Sequence, residues 1–246
     1  MCTLIALWRA VEGYDLVVGM NRDESTSRPA DPPALVPGDP ILVAPRDRTA
    51  GGTWIGASGH GLVVALSNRR GRTIVSPRSR GLLALDALRA PRVAAVEVFL
   101  EREVREHAYN FWNLLAMSRE EIRFFRYDGR ISTNRGHEGL NVLTNEGGNV
   151  VTDLKALAVQ DAISKSPIRA IPDAVRGLQG TLRRHASPGG TGLCVHATGG
   201  GTVSSTILAL SNADPGENVL LHSDGPPCST PYRDYHEIIR RLPGPD

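Results

Sequence analysis

The stretch MCTLIALWRAVEGYDLVVGMNRDESTSRP, Met1 to Pro29, decides how the chain is read. Two apolar runs, Leu4–Trp8 and Leu16–Met20, flank a short polar break at Glu12–Asp15. That pattern predicts a strand, a hairpin and a second strand. The first strand opens on Cys2, and the second ends in the polar cluster Asn21, Arg22, Asp23, Glu24. Antiparallel pairing across a turn near 12–15 brings the start of one strand beside the end of the other. Cys2 is therefore expected next to Asn21 and Asp23.

This placement has a chemical meaning. A small residue at position 2 favours removal of the initiator methionine, which leaves Cys2 with a thiol and a free amine on one residue. An α-amine with a pKa of about 7.7–8.0 is partly neutral near pH 7 and can act as a base. A thiol with a pKa of about 8.5 needs little activation as a nucleophile. Asp23 is expected to orient the amine, and Arg22 to lower the thiol pKa. The alternative is a small buried cysteine at a strand start, the commoner fate of a lone cysteine. The adjacent polar cluster favours the chemical reading.

Met1-Cys2, then Asn21-Arg22-Asp23-Glu24, then Ser27-Arg28-Pro29 together resemble the NRDE family, which includes transport and Golgi organisation protein 2. The stretch is similar, more distantly, to the N-terminal-nucleophile (Ntn) hydrolases related to penicillin V acylase and bile-salt (choloylglycine) hydrolase. Further segments carry the resemblance: Gly51-Gly52-Thr53-Trp54-Ile55-Gly56, a strand ending in Ser67-Asn68, Arg80-Gly81-Leu82-Leu83, Tyr109-Asn110 with Asn113-Leu114, and Leu143-Thr144-Asn145. The resemblance implies an α+β chain, a four-layer αββα sandwich of two mainly antiparallel sheets covered by helices, as one domain over residues 1–246. It also implies a role for Asn68 in the oxyanion hole and a place for Asn145 in the active site. The candidate catalytic residues are thus Cys2, Asn21, Arg22, Asp23, Asn68 and Asn145. In one respect the chain departs from the pattern: Val203 stands where many members carry arginine.

Composition narrows the function classes. Across 246 residues, 28 basic and 26 acidic side chains nearly cancel, so no global field pulls the chain toward nucleic acid or membrane. Lysine occurs only at Lys155 and Lys165; the other basic residues are arginine. Three widely spaced cysteines, Cys2, Cys194 and Cys228, give no disulfide framework and fit a reducing cytosol. No signal peptide is expected at the N-terminus. No run approaches the ~18 apolar residues of a membrane span.

Along the chain, the prolines of residues 25–50 predict an ordered surface loop, with a short edge strand at Ile41–Ala44. A hairpin is expected around Trp54 and Leu62–Asn68. Arg69, Arg70, Arg72, Arg78 and Arg80 form a cationic loop suited to an anionic substrate tail. Helices are expected over about 81–89 and 92–106, the latter with Val93, Val96, Leu100 and Val104 on one face. Residues 108–145 read as a meander. Two helices follow, about 154–164 with Leu154, Leu157, Ala158 and Asp161 in register, and about 172–184. A glycine turn at 189–190 leads to further strands. A terminal helix follows, with Tyr235, Ile238, Ile239 and Leu242 on one face.

Cys194 and His196 share a strand face, but a metal site needs two more ligands and no CxxC or HExxH partner accompanies them. They are read as core or supporting residues, and no metal or cofactor is expected. Asp23 and Glu24 point to opposite faces, so they do not form a shared-proton pair. The reading that emerges is a cytoplasmic N-terminal-cysteine amidohydrolase or acyltransferase acting on a small acyl amide or thioester. Its rival, also carried by the resemblance, is a non-catalytic carrier of haem, lipid or acyl-CoA.

Overall fold

A computed structural model describes residues 2–71, 73–165, 168–186 and 190–243. Arg72 of the cationic loop and Gly189 of the expected turn lie outside the described residues. In chain order the elements are β1 (Thr3–Val11), β2 (Tyr14–Ser25), β3 (Ala30–Val36), β4 (Leu42–Asp47), β5 (Ile55–Ser58) and β6 (Val63–Asn68). Then come α1 (Arg80–Ala87), α2 (Val93–Glu106), β7 (Trp112–Met117), β8 (Ile122–Tyr127), β9 (Ile131–Arg135) and β10 (Gly139–Leu143). The chain continues with α3 (Leu154–Ser164), α4 (Ile171–Leu182), β11 (His196–Ala197), β12 (Gly200–Leu210), β13 (Val219–Ser223), β14 (Arg233–Asp234) and α5 (His236–Ile239).

Two seven-stranded antiparallel sheets result. One runs β10-β1-β2-β12-β13-β14, with β11 paired to β12; the other runs β3 to β9 in sequence order. Side-chain alternation explains the layering. From β1, Leu4, Ala6 and Trp8 face the second sheet and meet Val63, Ala65 and Leu115. The intervening Ile5 and Leu7 face α3 and α4, against Val159, Ala174 and Leu178. On the other sheet Val64, Leu66 and Leu114 turn outward to Leu83, Val96 and Leu100 of α1 and α2. Three apolar layers thus lie between four structural ones, the αββα sandwich that the family resemblance implies. The indole Trp8 Nε1 donates to the Ser118 carbonyl at 2.9 Å and bridges the two sheets.

Four local expectations change. Asp31–Ala34 of the proline-rich segment forms part of edge strand β3, with a register shift where Pro32 and Pro33 sit; an edge strand tolerates residues that donate no ladder hydrogen bond. The expected meander is split: β10 leaves its neighbours and pairs with β1, Leu4 opposite Leu143. Helix α3 keeps its boundaries but not its face. Leu154 and Leu157 are exposed, while Lys155, Ala156, Val159 and Ile163 turn inward. The terminal helix is a single turn, though Ile239 and Leu242 still close the space between the sheets.

One buried group makes stability depend on pH. His222 on β13 lies 2.9 Å from Thr206 Oγ1 through Nδ1 and 3.3 Å from Asp224 Oδ1 through Nε2. Burial pushes its pKa down to about 4, against the pull of Asp224. An unfolded histidine titrates near 6.5, so between these values the unfolded chain binds more protons. The stability held by neutral His222 is complete above about pH 6.5 and is lost as pH falls toward 4. Urea midpoints measured down this range are expected to fall more steeply for the wild type than for His222→Gln. Equal slopes disprove the assignment.

Candidate functional site

The β1–β2 hairpin sets the site. Thr3 pairs with Asn21 across it, so Cys2 lies opposite Arg22 at the ladder's end. The Cys2 thiol donates to the Asp23 carbonyl at 3.9 Å. It is buried at the floor of a cleft of about 300 Å³ whose lining includes Arg22, Trp54, Asn68, Arg80 and Gly81. A second cavity of about 380 Å³, lined by Asp23, Glu24, Asn68, Val195 and Gly201, adjoins it and shares Glu24 and Asn68.

Strand alternation sends neighbouring residues of the cluster to different tasks. Arg22 shares the inter-sheet side with Cys2. Its Cζ stacks 4.4 Å from the centre of the Trp54 ring, and Nη1 donates to the Arg28 carbonyl at 3.3 Å. Nη2 is 3.8 Å from Asp47 Oδ2. Asp23 faces the helices, where Oδ1 accepts from Thr202 Oγ1 at 2.6 Å and Oδ2 accepts from Lys155 Nζ at 3.2 Å. Lys155 Nζ also donates to Thr3 Oγ1 at 3.2 Å. Glu24 turns back to the cleft, as expected for its alternation with Asp23.

The three asparagines differ. Asn21 Nδ2 donates to the Leu182 and Leu193 carbonyls at 2.9 and 2.8 Å, tying β2 to the segment after α4. Asn145 Nδ2 donates to Ser67 Oγ at 3.1 Å and to the Asn68 carbonyl, joining the ends of β10 and β6. Neither lines the two cavities, whereas Asn68 lines both. At the end of β6, Asn68 lines the wall shared by the two cavities, one of which also holds Cys2.

Burial, and next the Asp23 charge, push the Cys2 thiol above its ordinary pKa. The expected lowering by Arg22 does not decide the balance. Cys2 is a protonated thiol near neutral pH, and attack requires a base to take its proton.

The fold gives the named segments a physical reason and adds Lys155 and Thr202 to the site. Gly52 explains the Gly-Gly-Thr-Trp segment: a Cβ there falls 2.1 Å from the Gly81 carbonyl carbon. Only glycine permits that approach. The Thr53 N–H donates to the Gly81 carbonyl at 2.9 Å, which fixes the start of α1 over the cleft. Arg80 is thereby held at the cleft, its Nη1 donating to the Phe111 carbonyl at 2.9 Å. Among the described residues no carboxylate forms an ion pair with it, and burial lowers its pKa. Lys155 had one sequence signal, as one of only two lysines in a chain whose other basic residues are arginine. Thr202 had none. Val203 is the extra residue of a bulge: Thr202 pairs with Asp23 and Ser204 with Arg22, and Val203 falls between them.

Cys194 and His196 are not the isolated pair expected from sequence. Folding brings His185 and Cys228 to them, with all four ligand atoms within 4.8 Å of one another.

Comparison with known proteins matches this arrangement at the level of fold. A variant of conjugated bile acid hydrolase from Clostridium perfringens superposes with a TM-score of 0.63 at 11% identity, over 100% of this chain and 95% of that one. Penicillin V acylase from Agrobacterium tumefaciens gives 0.60 at 11% identity, covering 99% and 89%. The N-acylethanolamine-hydrolyzing acid amidase orthologue of Caenorhabditis elegans gives 0.58 at 12% identity, covering 98% of each. By sequence, no curated protein matches the chain. The family profile Transport and Golgi organisation 2 matches residues 1–177, from the Cys2 strand through α3 and into α4. With most of its length under that profile and two antiparallel sheets between helical layers, the chain belongs to the Transport and Golgi organisation 2 family and has the Ntn-hydrolase fold.

Proposed function

We propose that the protein is an N-terminal-cysteine amidohydrolase or acyltransferase whose small acyl substrate carries an anionic group. The observation that carries the reading is one cleft holding both the Cys2 thiol and the Arg80 guanidinium, a cation without a carboxylate partner among the described residues. A partly buried cation of this kind is stabilised by an incoming carboxylate or phosphate.

The steps follow from the groups present. Removal of Met1 exposes the Cys2 amine. The neutral amine takes the thiol proton as sulfur attacks the acyl carbonyl carbon, and the carbonyl π electrons move to oxygen. Asn68 donates to that oxyanion. Collapse breaks the carbon–nitrogen bond, and the ammonium returns the proton to the leaving amine. Water or an acceptor amine then cleaves the thioester. Asp23, held by Thr202 and Lys155, positions the chain start, and Asn21 and Asn145 brace the surrounding strands. The bile acid hydrolase, penicillin V acylase and acid amidase neighbours support amide chemistry on this fold by analogy.

The test is intact-mass analysis after mixing with acyl amides that do or do not carry a carboxylate. The expected result is a chain lacking Met1 and a transient acyl adduct on Cys2, formed faster with the carboxylate-bearing amide. A retained Met1, or an adduct elsewhere, rejects the mechanism.

A further inference from the structure

A second cluster lies behind the cleft wall and is independent of Cys2. His196 Nε2 sits 3.2 Å from Cys228 Sγ and 3.8 Å from Cys194 Sγ, and the two sulfurs are 3.5 Å apart. The His185 ring packs edge-on to His196, centroids 5.1 Å apart. We propose that His185, Cys194, His196 and Cys228 form a closed tetrahedral site for one zinc ion.

The geometry fits the cation. Bonds of about 2.3 Å to sulfur and 2.0 Å to nitrogen imply ligand–ligand edges of about 3.3–3.8 Å. The recorded separations of 3.2, 3.5 and 3.8 Å bracket that range. Two thiols and two imidazoles are the donor set of a structural zinc centre, and four protein ligands leave no open position for chemistry. A Cys194–Cys228 disulfide explains two of these residues but gives no reason for two imidazole rings to converge on the same point.

The backbone around the cluster is already fixed. The Leu193 and Cys194 N–H groups both donate to the Arg184 carbonyl at 2.9 Å, which folds the second ligand segment back onto the end of α4. Arg183 Nε donates to the Pro227 carbonyl at 2.9 Å, pulling the Cys228 turn to the same place. The Thr230 N–H donates to the Pro226 carbonyl at 2.8 Å and closes that turn. Three chain segments, distant in sequence, thus meet with their ligand atoms converging.

The consequence reaches the cleft. Val195, between two ligands, lines the second cavity. Its N–H donates to Thr202 Oγ1 at 2.9 Å, and Thr202 in turn holds Asp23. Zinc therefore acts as a staple for this wall, and its binding free energy adds to folding stability.

The experiment uses the full chain purified under reducing conditions. Elemental analysis is expected to find about one zinc per chain. Exchange with cobalt(II) should produce the intense visible bands of a tetrahedral thiolate site, and chelation should lower Tm by several degrees. Cys228→Ser and His185→Ala should each lose the cobalt bands. The exposed His185 side chain makes the second variant safe for folding, as circular dichroism can verify. Cys2→Ala should retain the metal, which separates this site from the acyl chemistry. A wild-type chain that binds neither metal and titrates three thiols overturns the proposal. So does a chain with a Cys194–Cys228 disulfide and one titratable thiol, or a folded His185→Ala protein with unchanged cobalt bands.

Discussion

Cys2→Ala is expected to reduce turnover of acyl amides by about a thousand-fold or more, because it removes the atom that forms the acyl intermediate. The fold should survive. Cys2 contributes a small buried side chain at a strand end, and the β1–β2 ladder beyond Thr3 does not use its sulfur. Cys2→Ser is the informative companion. Burial already disfavours the anionic form of the thiol. A hydroxyl, with a far higher pKa, meets the same desolvation and depends still more on the base. Its activity should fall well below wild type yet leave a slow oxyester adduct detectable by mass. Steady-state rates with circular dichroism on all three proteins check this. Activity that persists in Cys2→Ala, beyond what a trace contaminant supplies, removes the nucleophile assignment.

Lys155→Met is expected to destabilise the fold by about 3 kcal/mol. The ammonium lies 3.2 Å from Asp23 Oδ2, with the two side chains 10% and 3% exposed. Deleting one partner of such a pair leaves a buried charge with less compensation, which costs far more than a surface ion pair contributes. Thr202 still donates to Oδ1, so the loss should sit at the low end for buried pairs. Adding Asp23→Asn to Lys155→Met should recover part of the stability, because the buried carboxylate that lost its ammonium partner is then neutral. Urea unfolding of the wild type, both single variants and the double variant provides the cycle. Additive losses contradict the coupling.

Local physics makes part of the fold legible in the sequence. The alternating apolar runs of β1 and β2 and their polar break specify a hairpin, because a period of two places one set of side chains on each face. The inward pattern Val93, Val96, Leu100 marks the buried side of α2 in the same way. The glycines before Trp54 announce a special backbone, though only the fold shows that their task is to admit the start of α1. Elsewhere a distant partner overrides a local rule. Leu154 and Leu157 look like the buried side of α3, yet the helix turns Lys155 inward because Asp23 and Thr3 wait there. The prolines near 32 predict loop, and the sheet edge accepts them. The crossing of β10 to β1 leaves no local trace.

The same division separates the two sites. By itself the chain determined the hairpin, the placing of Cys2 beside the Asn21–Asp23 end of the second strand, and the family pattern around them, since all depend on neighbours within one β-hairpin; that Arg22 rather than Asn21 lies opposite Cys2 came from the register. Only the tertiary structure decided that Asn68 lines the cleft while Asn21 and Asn145 brace the strands around it, and that Arg80 lines the same cleft as the thiol. It also decided that His185 and Cys228 join Cys194 and His196. Those meetings depend on how two sheets and their helices close on one another. That closure is driven by apolar burial spread over the whole chain, which no short window of sequence contains.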